Sequence, residues 1–141
     1  MNLYAESSAV LAWLLKENTE TTIYELLAGG ETVVSCDLTL VECDRTVWRA
    51  ASAGSLDEGD VDGIMNRFAS VAQHWTVLPI SPEIVERARQ RFPNEPIRSL
   101  DALHVAAALH ARAAFPDLAM LSLDERVRRV AGSLGLPVLP S

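Results

Sequence analysis

Four acids stand where this chain would pass from strand to helix. Glu6 directly follows the apolar run Leu3–Ala5, and Glu42 lies in the first turns of a helical-period segment after Thr32-Val33-Val34-Ser35. Asp101 follows Ser99 at the start of a long helical segment, and Asp124 directly follows Met120–Leu123. Singly, each has an ordinary explanation, since an acid in a first helical turn gains ~0.3–1 kcal/mol from the helix dipole. Glu6 is harder to dismiss, because a strand end beside a core is a costly place for an unpaired charge. Together the four raise a sharper question. Two carboxylates ~4 Å apart repel by ~4 kcal/mol at an effective dielectric of 20. Acids gathered in one cleft need protonation, Arg partners or a divalent cation. All-oxygen ligands suit Mg²⁺ or Mn²⁺ rather than Zn²⁺. Such an ion can activate water and stabilise the attacking and leaving oxygens of a phosphodiester.

Convergence requires a fold that sets these positions side by side. Strands are expected at Leu3–Ala5, Thr32–Ser35, Thr76–Leu78, Ala119–Leu123 and Val138–Leu139. Helices are expected from a cap at Ser7 or Ser8 through Leu14, over Asn18–Leu27 up to Gly29-Gly30, over Leu38–Ala53, and over Val61–Val71. Others run from Pro82 to Arg91, from a Ser99 cap over Leu100–Ala113, and over Asp124–Ala131. Phe92–Ile97, with Pro93 and Pro96, reads as a loop. Strands alternating with helices predict a layered α/β domain with parallel pairing, one domain over residues 1–141. In such a sheet, ligands sit beyond the carboxyl ends of the strands, where the four acids would lie.

At these residues the sequence resembles the PIN-domain ribonucleases, and within them the VapC-type toxins of type II toxin–antitoxin pairs. The resemblance is carried by Leu3-Tyr4-Ala5-Glu6-Ser7-Ser8-Ala9-Val10, by Leu38-Thr39-Leu40-Val41-Glu42, by the segment Ser99 to Leu109, and by Leu121-Ser122-Leu123-Asp124-Glu125-Arg126. It implies a three-layer α/β/α fold with a mainly parallel central sheet. It also implies Mg²⁺- or Mn²⁺-dependent endonucleolytic cleavage of RNA, homodimers and a neutralising antitoxin. By position, Glu42, Asp101 and Asp124 match the family's second, third and fourth acids. Ser122 matches the small hydroxyl two before the last acid, and Ser7 the hydroxyl after the first. Where the family usually has Asp, this chain has Glu6, one methylene longer. Mg²⁺ geometry is strict. The change leaves two readings open: a working ligand on a longer arm, or an impaired or non-catalytic PIN-like binding module.

Other residues weigh less. Arg98, Arg126, Arg128 and Arg129 flank Asp101 and Asp124, either as phosphate contacts or as a solvated face. His104 and His110 lack a paired nucleophile and read as core or surface histidines. Trp13, Trp48 and Trp75 read as core or interface rather than base-stacking platforms. The stripe Val61, Ile64, Met65, Phe68 and Val71 is a core-facing helix face first and a partner surface second. Cys36 and Cys43 are too few for a disulfide framework and read as small buried thiols.

Composition narrows the classes. The 141 residues carry a formal charge of -7, which argues against a broad basic nucleic-acid face. The first 70 hold 4 basic and 12 acidic side chains, the remainder 8 and 7. No apolar run reaches the ~18 residues of a membrane span, and Met1-Asn2-Leu3-Tyr4 lacks a signal-peptide pattern. A cytoplasmic protein without a membrane partner is expected. A receiver-type phosphoacceptor would need a late lysine, and the only one is Lys16. An aspartyl phosphatase would need Asp where Glu6 stands, and no glycine-rich phosphate loop is present.

Overall fold

The computed structural model describes residues 1–16 and 20–141. Five strands form one sheet: β1 (Asn2–Ala5), β2 (Thr32–Cys36), β3 (Thr76–Leu78), β4 (Ala119–Leu121) and β5 (Val138–Leu139). All neighbours pair in parallel, in the order β3-β2-β1-β4-β5. Parallel strands need helical crossovers, which cover both faces. The side-chain period of two divides β1 between them. Leu3 and Ala5 enter the core shared with α1 (Ser7–Leu14), α2 (Glu20–Gly29), α3 (Asp37–Ser52) and α4 (Glu58–Ala72). Tyr4 enters the opposite core, with α5 (Pro82–Ala88), α6 (Ser99–Arg112) and α7 (Glu125–Ser133). This is a three-layer α/β/α domain with a parallel central sheet, as expected from the alternation of segments.

The topology decides where a site can form. From β1 the chain steps outward through β2 to β3, then crosses back to place β4 on the other side of β1. The carboxyl ends of β1 and β4 therefore flank a switch point, the usual crevice of an open parallel sheet. α6 reaches it because its sheet-facing side is small. Ala102, Ala106, Ala107, Ala108 and Ala111 are all buried and allow close approach.

Several element ends depart from the sequence expectation. The cap of α1 is Glu6 rather than Ser7 or Ser8: Glu6 has extended backbone, and its carboxylate accepts from the Ser8 N–H at 3.1 Å. Arg98, not Ser99, is the cap position of α6, and makes no side-chain capping bond. β4 stops at Leu121 instead of Leu123 because the Leu123 N–H is taken by Ser8 Oγ, at 2.9 Å. α5 ends at Ala88 rather than Arg91. The expected start of the second helix, Asn18 and Thr19, lies outside the described residues. Both cysteines are buried and free, as expected.

Enlarging the α6 contact tests the close approach. Ala107 is fully buried. Ala107→Leu should cost about 1–3 kcal/mol of overpacking in chemical denaturation; an unchanged midpoint would show that the helix does not need a small face there.

Candidate active site

The sheet's carboxyl end gathers the expected residues into three linked groups. The first centres on Glu6. Its N–H continues the β1–β4 ladder to the Leu121 carbonyl at 3.0 Å, which fixes the backbone at the crevice. The Ala5 carbonyl before it accepts from Ser35 Oγ at 2.8 Å and Thr39 Oγ1 at 3.3 Å. The Glu6 carboxylate is 5% exposed. Its Oε2 accepts from Ser8 N–H, from Ser8 Oγ and, at 2.8 Å, from Ser122 Oγ. Ser122 Oγ also accepts from the Asp124 N–H at 3.1 Å, so one serine ties the first acid to the last. Burial raises the Glu6 pKa, against the opposing pull of His104 and these hydroxyls. Ser8 was absent from the sequence-derived site, although it lies two residues from Glu6 and links β1 to β4.

The second group is Glu42. Placed in the second turn of α3, it accepts from Ser7 Oγ at 2.7 Å and from His104 Nε2 at 2.5 Å. His104 is buried, as expected, but its partner is an acid that the sequence reading left unpaired. The surrounding bonds define its protonation. Tyr4 Oη donates its one proton to Cys36 Sγ at 3.1 Å, so toward His104 Nδ1, also at 3.1 Å, it accepts. Both ring nitrogens then donate, which describes an imidazolium. Burial alone would lower the His104 pKa. The Cys36 and Glu42 contacts, with the nearby charge of Glu6, lift it to about 10. Glu42 is likewise opposed by burial, yet held below the usual carboxylate range by His104, Ser7 and Arg98. The signal for His104 was its position three residues after Asp101, on the same side of α6.

The third group joins the remaining acids through Arg98. Arg98 Nε donates to Asp101 Oδ2 at 2.8 Å, and its Nη2 reaches Asp124 Oδ2 at 3.1 Å. Asp101 is buried. Asp124 caps α7, its Oδ1 accepting from the Arg126 N–H at 2.9 Å and the Val127 N–H at 3.2 Å. The helix-start role of Asp124 is therefore real, and it uses one oxygen while the other faces Arg98.

The donor chemistry suits a hard divalent ion, since every acid offers carboxylate oxygen. The acids are nevertheless not drawn into a ready cage: among the described residues, no three His, Cys, Asp or Glu side chains stand grouped as metal ligands. Arg98 holds two of the four. The other arginines divide. Arg128 donates to the Ser122 and Pro140 carbonyls, both at 2.7 Å, and so braces the backbone. Arg126 and Arg129 are exposed on α7. His110 is exposed on α6; Trp13 is buried, Trp75 half-buried against Phe68, and Trp48 exposed.

The fold and this acid-lined crevice define an α/β protein of the nuclease-like PIN type. The PIN domain profile matches residues 3–133, and the chain belongs to the PIN domain family. Among its relatives is Ribonuclease VapC35 of Mycobacterium tuberculosis (strain H37Rv), 25% identical over 97% of this chain and 95% of that one. Solved structures of similar fold include FitAcB from Neisseria gonorrhoeae (TM-score 0.71, 17% identity, covering 99% of this chain and 97% of that chain). Another is Mycobacterium tuberculosis VapC20, described as a sarcin-ricin loop cleaving toxin (TM-score 0.66, 13% identity, 95% of each chain). A third is VapBC2 from Rickettsia felis bound to a DNA fragment from its promoter (TM-score 0.62, 16% identity, 98% and 97%).

The His104–Glu42 pair sets a pH dependence. A raised histidine pKa contributes stability that is complete below 6.5 and lost as pH rises through about 10. The lowered Glu42 pKa contributes above 4.5 and is lost as pH falls through its folded value. In chelator-containing buffer, the stability gap between wild type and His104→Gln should be widest near about pH 6 and shrink toward about pH 10. A gap constant across that range in thermal melts would mean that His104 is neutral in the fold.

Proposed function

We propose that this single-domain protein is a Mg²⁺- or Mn²⁺-dependent endoribonuclease and the toxin of a toxin–antitoxin pair. The observation that carries this reading is the meeting of Glu6, Ser122 and Asp124 at the β1–β4 switch point, with Asp101 joined through Arg98. Glu6, Glu42, Asp101 and Asp124 would hold the ion, which when bound neutralises phosphodiester charge and activates water. The chain's own part is positional. Ser8 and Ser122 hold the Glu6 carboxylate, and Ser7 with His104 holds Glu42 in its charged form. Arg126, exposed beside Asp124, would contact substrate phosphate in this reading, as would Arg98 once free of the acids.

The VapC names of the relatives support the ribonuclease and toxin assignment, and an antitoxin partner with it. Exposed Val41 and Trp48, seven residues apart on α3, support a protein–protein surface, in a homodimer or against the antitoxin. No described helix is long and apolar enough to cross a membrane, and a cytoplasmic location belongs to the toxin reading proposed here. A second reading, an impaired or non-catalytic module, is favoured by one feature: Glu6 Oε2 is already committed to two serines and a backbone N–H.

Two substitutions decide between them. Asp101→Asn should abolish divalent-ion-dependent RNA cleavage while leaving the fold intact by circular dichroism; undiminished cleavage would exclude the site. Glu6→Asp should keep or raise cleavage, and a clear loss would show that Glu6 does not simply stand in for Asp.

A further inference from the structure

Asp101 and Asp124 share one cation, and it belongs to the protein. The Arg98 fork spans both: Nε to Asp101 Oδ2 at 2.8 Å, Nη2 to Asp101 Oδ1 at 3.4 Å, and Nη2 to Asp124 Oδ2 at 3.1 Å. Asp101 is the demanding partner. Its side chain is only 8% exposed, and among the described residues Arg98 is the cation paired with it. Asp124 has the α7 N–H groups as well, so for it Arg98 is supplementary.

The two ends of this bridge differ in freedom. The carboxylates are anchored at helix starts, whereas the Arg98 side chain is 60% exposed. Its backbone is fixed at the α6 cap position, but its guanidinium can swing into water without disturbing the core. The contrast with Glu42 is direct: that acid is tied to the buried His104, which has nowhere to go.

We infer that Arg98 is a resident counter-cation that competes with the divalent ion for Asp101 and Asp124. In the apoprotein the arginine offsets part of the charge of the two carboxylates. Loading the ion requires Arg98 to leave both carboxylates. This rests on the proposal that these acids bind Mg²⁺ or Mn²⁺, and it adds a cost to that binding set by the protein itself. Apparent metal affinity is then a property of Arg98 as much as of the four acids.

The test is direct Mn²⁺ binding, by calorimetry or by the electron paramagnetic resonance of free Mn²⁺, on wild type, Arg98→Gln and Arg98→Lys. Removing an exposed pair shared by two acids should tighten Mn²⁺ binding about 3- to 10-fold in Arg98→Gln. Arg98→Lys, which keeps the charge but not the fork, should fall between wild type and Arg98→Gln. Thermal melts give a second readout. Arg98→Gln should melt below wild type in chelator and recover when Mn²⁺ is added, because the ion replaces the lost cation. Equal or weaker Mn²⁺ binding by Arg98→Gln in a wild type that does bind would overturn the competition while leaving the metal reading intact. Binding by neither protein, with no cleavage by wild type, would remove both. Binding by Arg98→Gln alone would show the competition at its strongest.

Discussion

Negative charge at the carboxyl end of a parallel sheet is the constraint to which the rest of this structure answers. β1 and β4 end side by side because the strand order reverses there, and each delivers an acid within three residues of its end. α3 and α6 add two more. Like charges gathered at one sheet end repel, the more strongly the less water lies between them. The protein meets the cost three different ways. Glu6 is surrounded by hydroxyl and backbone donors, Glu42 by a protonated histidine, and the Asp101–Asp124 pair by an arginine.

These three solutions differ in permanence, and that difference is what makes the arrangement read as a working site. Tyr4, His104 and Cys36 are buried, so breaking their chain to the part-exposed Glu42 would strand donors inside the core. The serine contacts of Glu6 double as the weld between β1 and β4, through Ser8 and Leu123. In the arginine bridge it is the cation itself that stands open to water. A largely buried ion pair and a more exposed one thus stand at the same sheet edge, the exposed one on Asp101 and Asp124.

The layered fold and the acids at strand ends were legible in the sequence because both depend on short-range pattern. Strand alternation, helix-start acids and the segments around Glu6 and Asp101 all lie within a few residues of one another. The charge partners were not legible, because they join positions far apart. Glu42 meets His104 across 62 residues, and Glu6 meets Ser122 across 116. Arg98 was weighed as a phosphate contact or as part of a solvated, ion-paired face; its pair with Asp101 is local, whereas its reach to Asp124 spans 26 residues. Helix boundaries failed where a side chain displaced the expected backbone role: Glu6 capped α1 in place of a serine, and Ser8 took the Leu123 N–H and ended β4.

The uneven charge along the chain acquires a geometric meaning from this topology. The acidic first 70 residues build β1, β2 and most of the α1–α4 layer, while the second half supplies α5–α7 on the opposite face. The sheet therefore separates a strongly acidic layer from a nearly neutral, arginine-bearing one, and the crevice lies at their common edge. A polyanion reaching that edge meets repulsion from the first layer and Arg126 and Arg129 from the second. Net charge alone hides this division, which sets eight of the twelve basic residues in the half of the chain that builds the α5–α7 side.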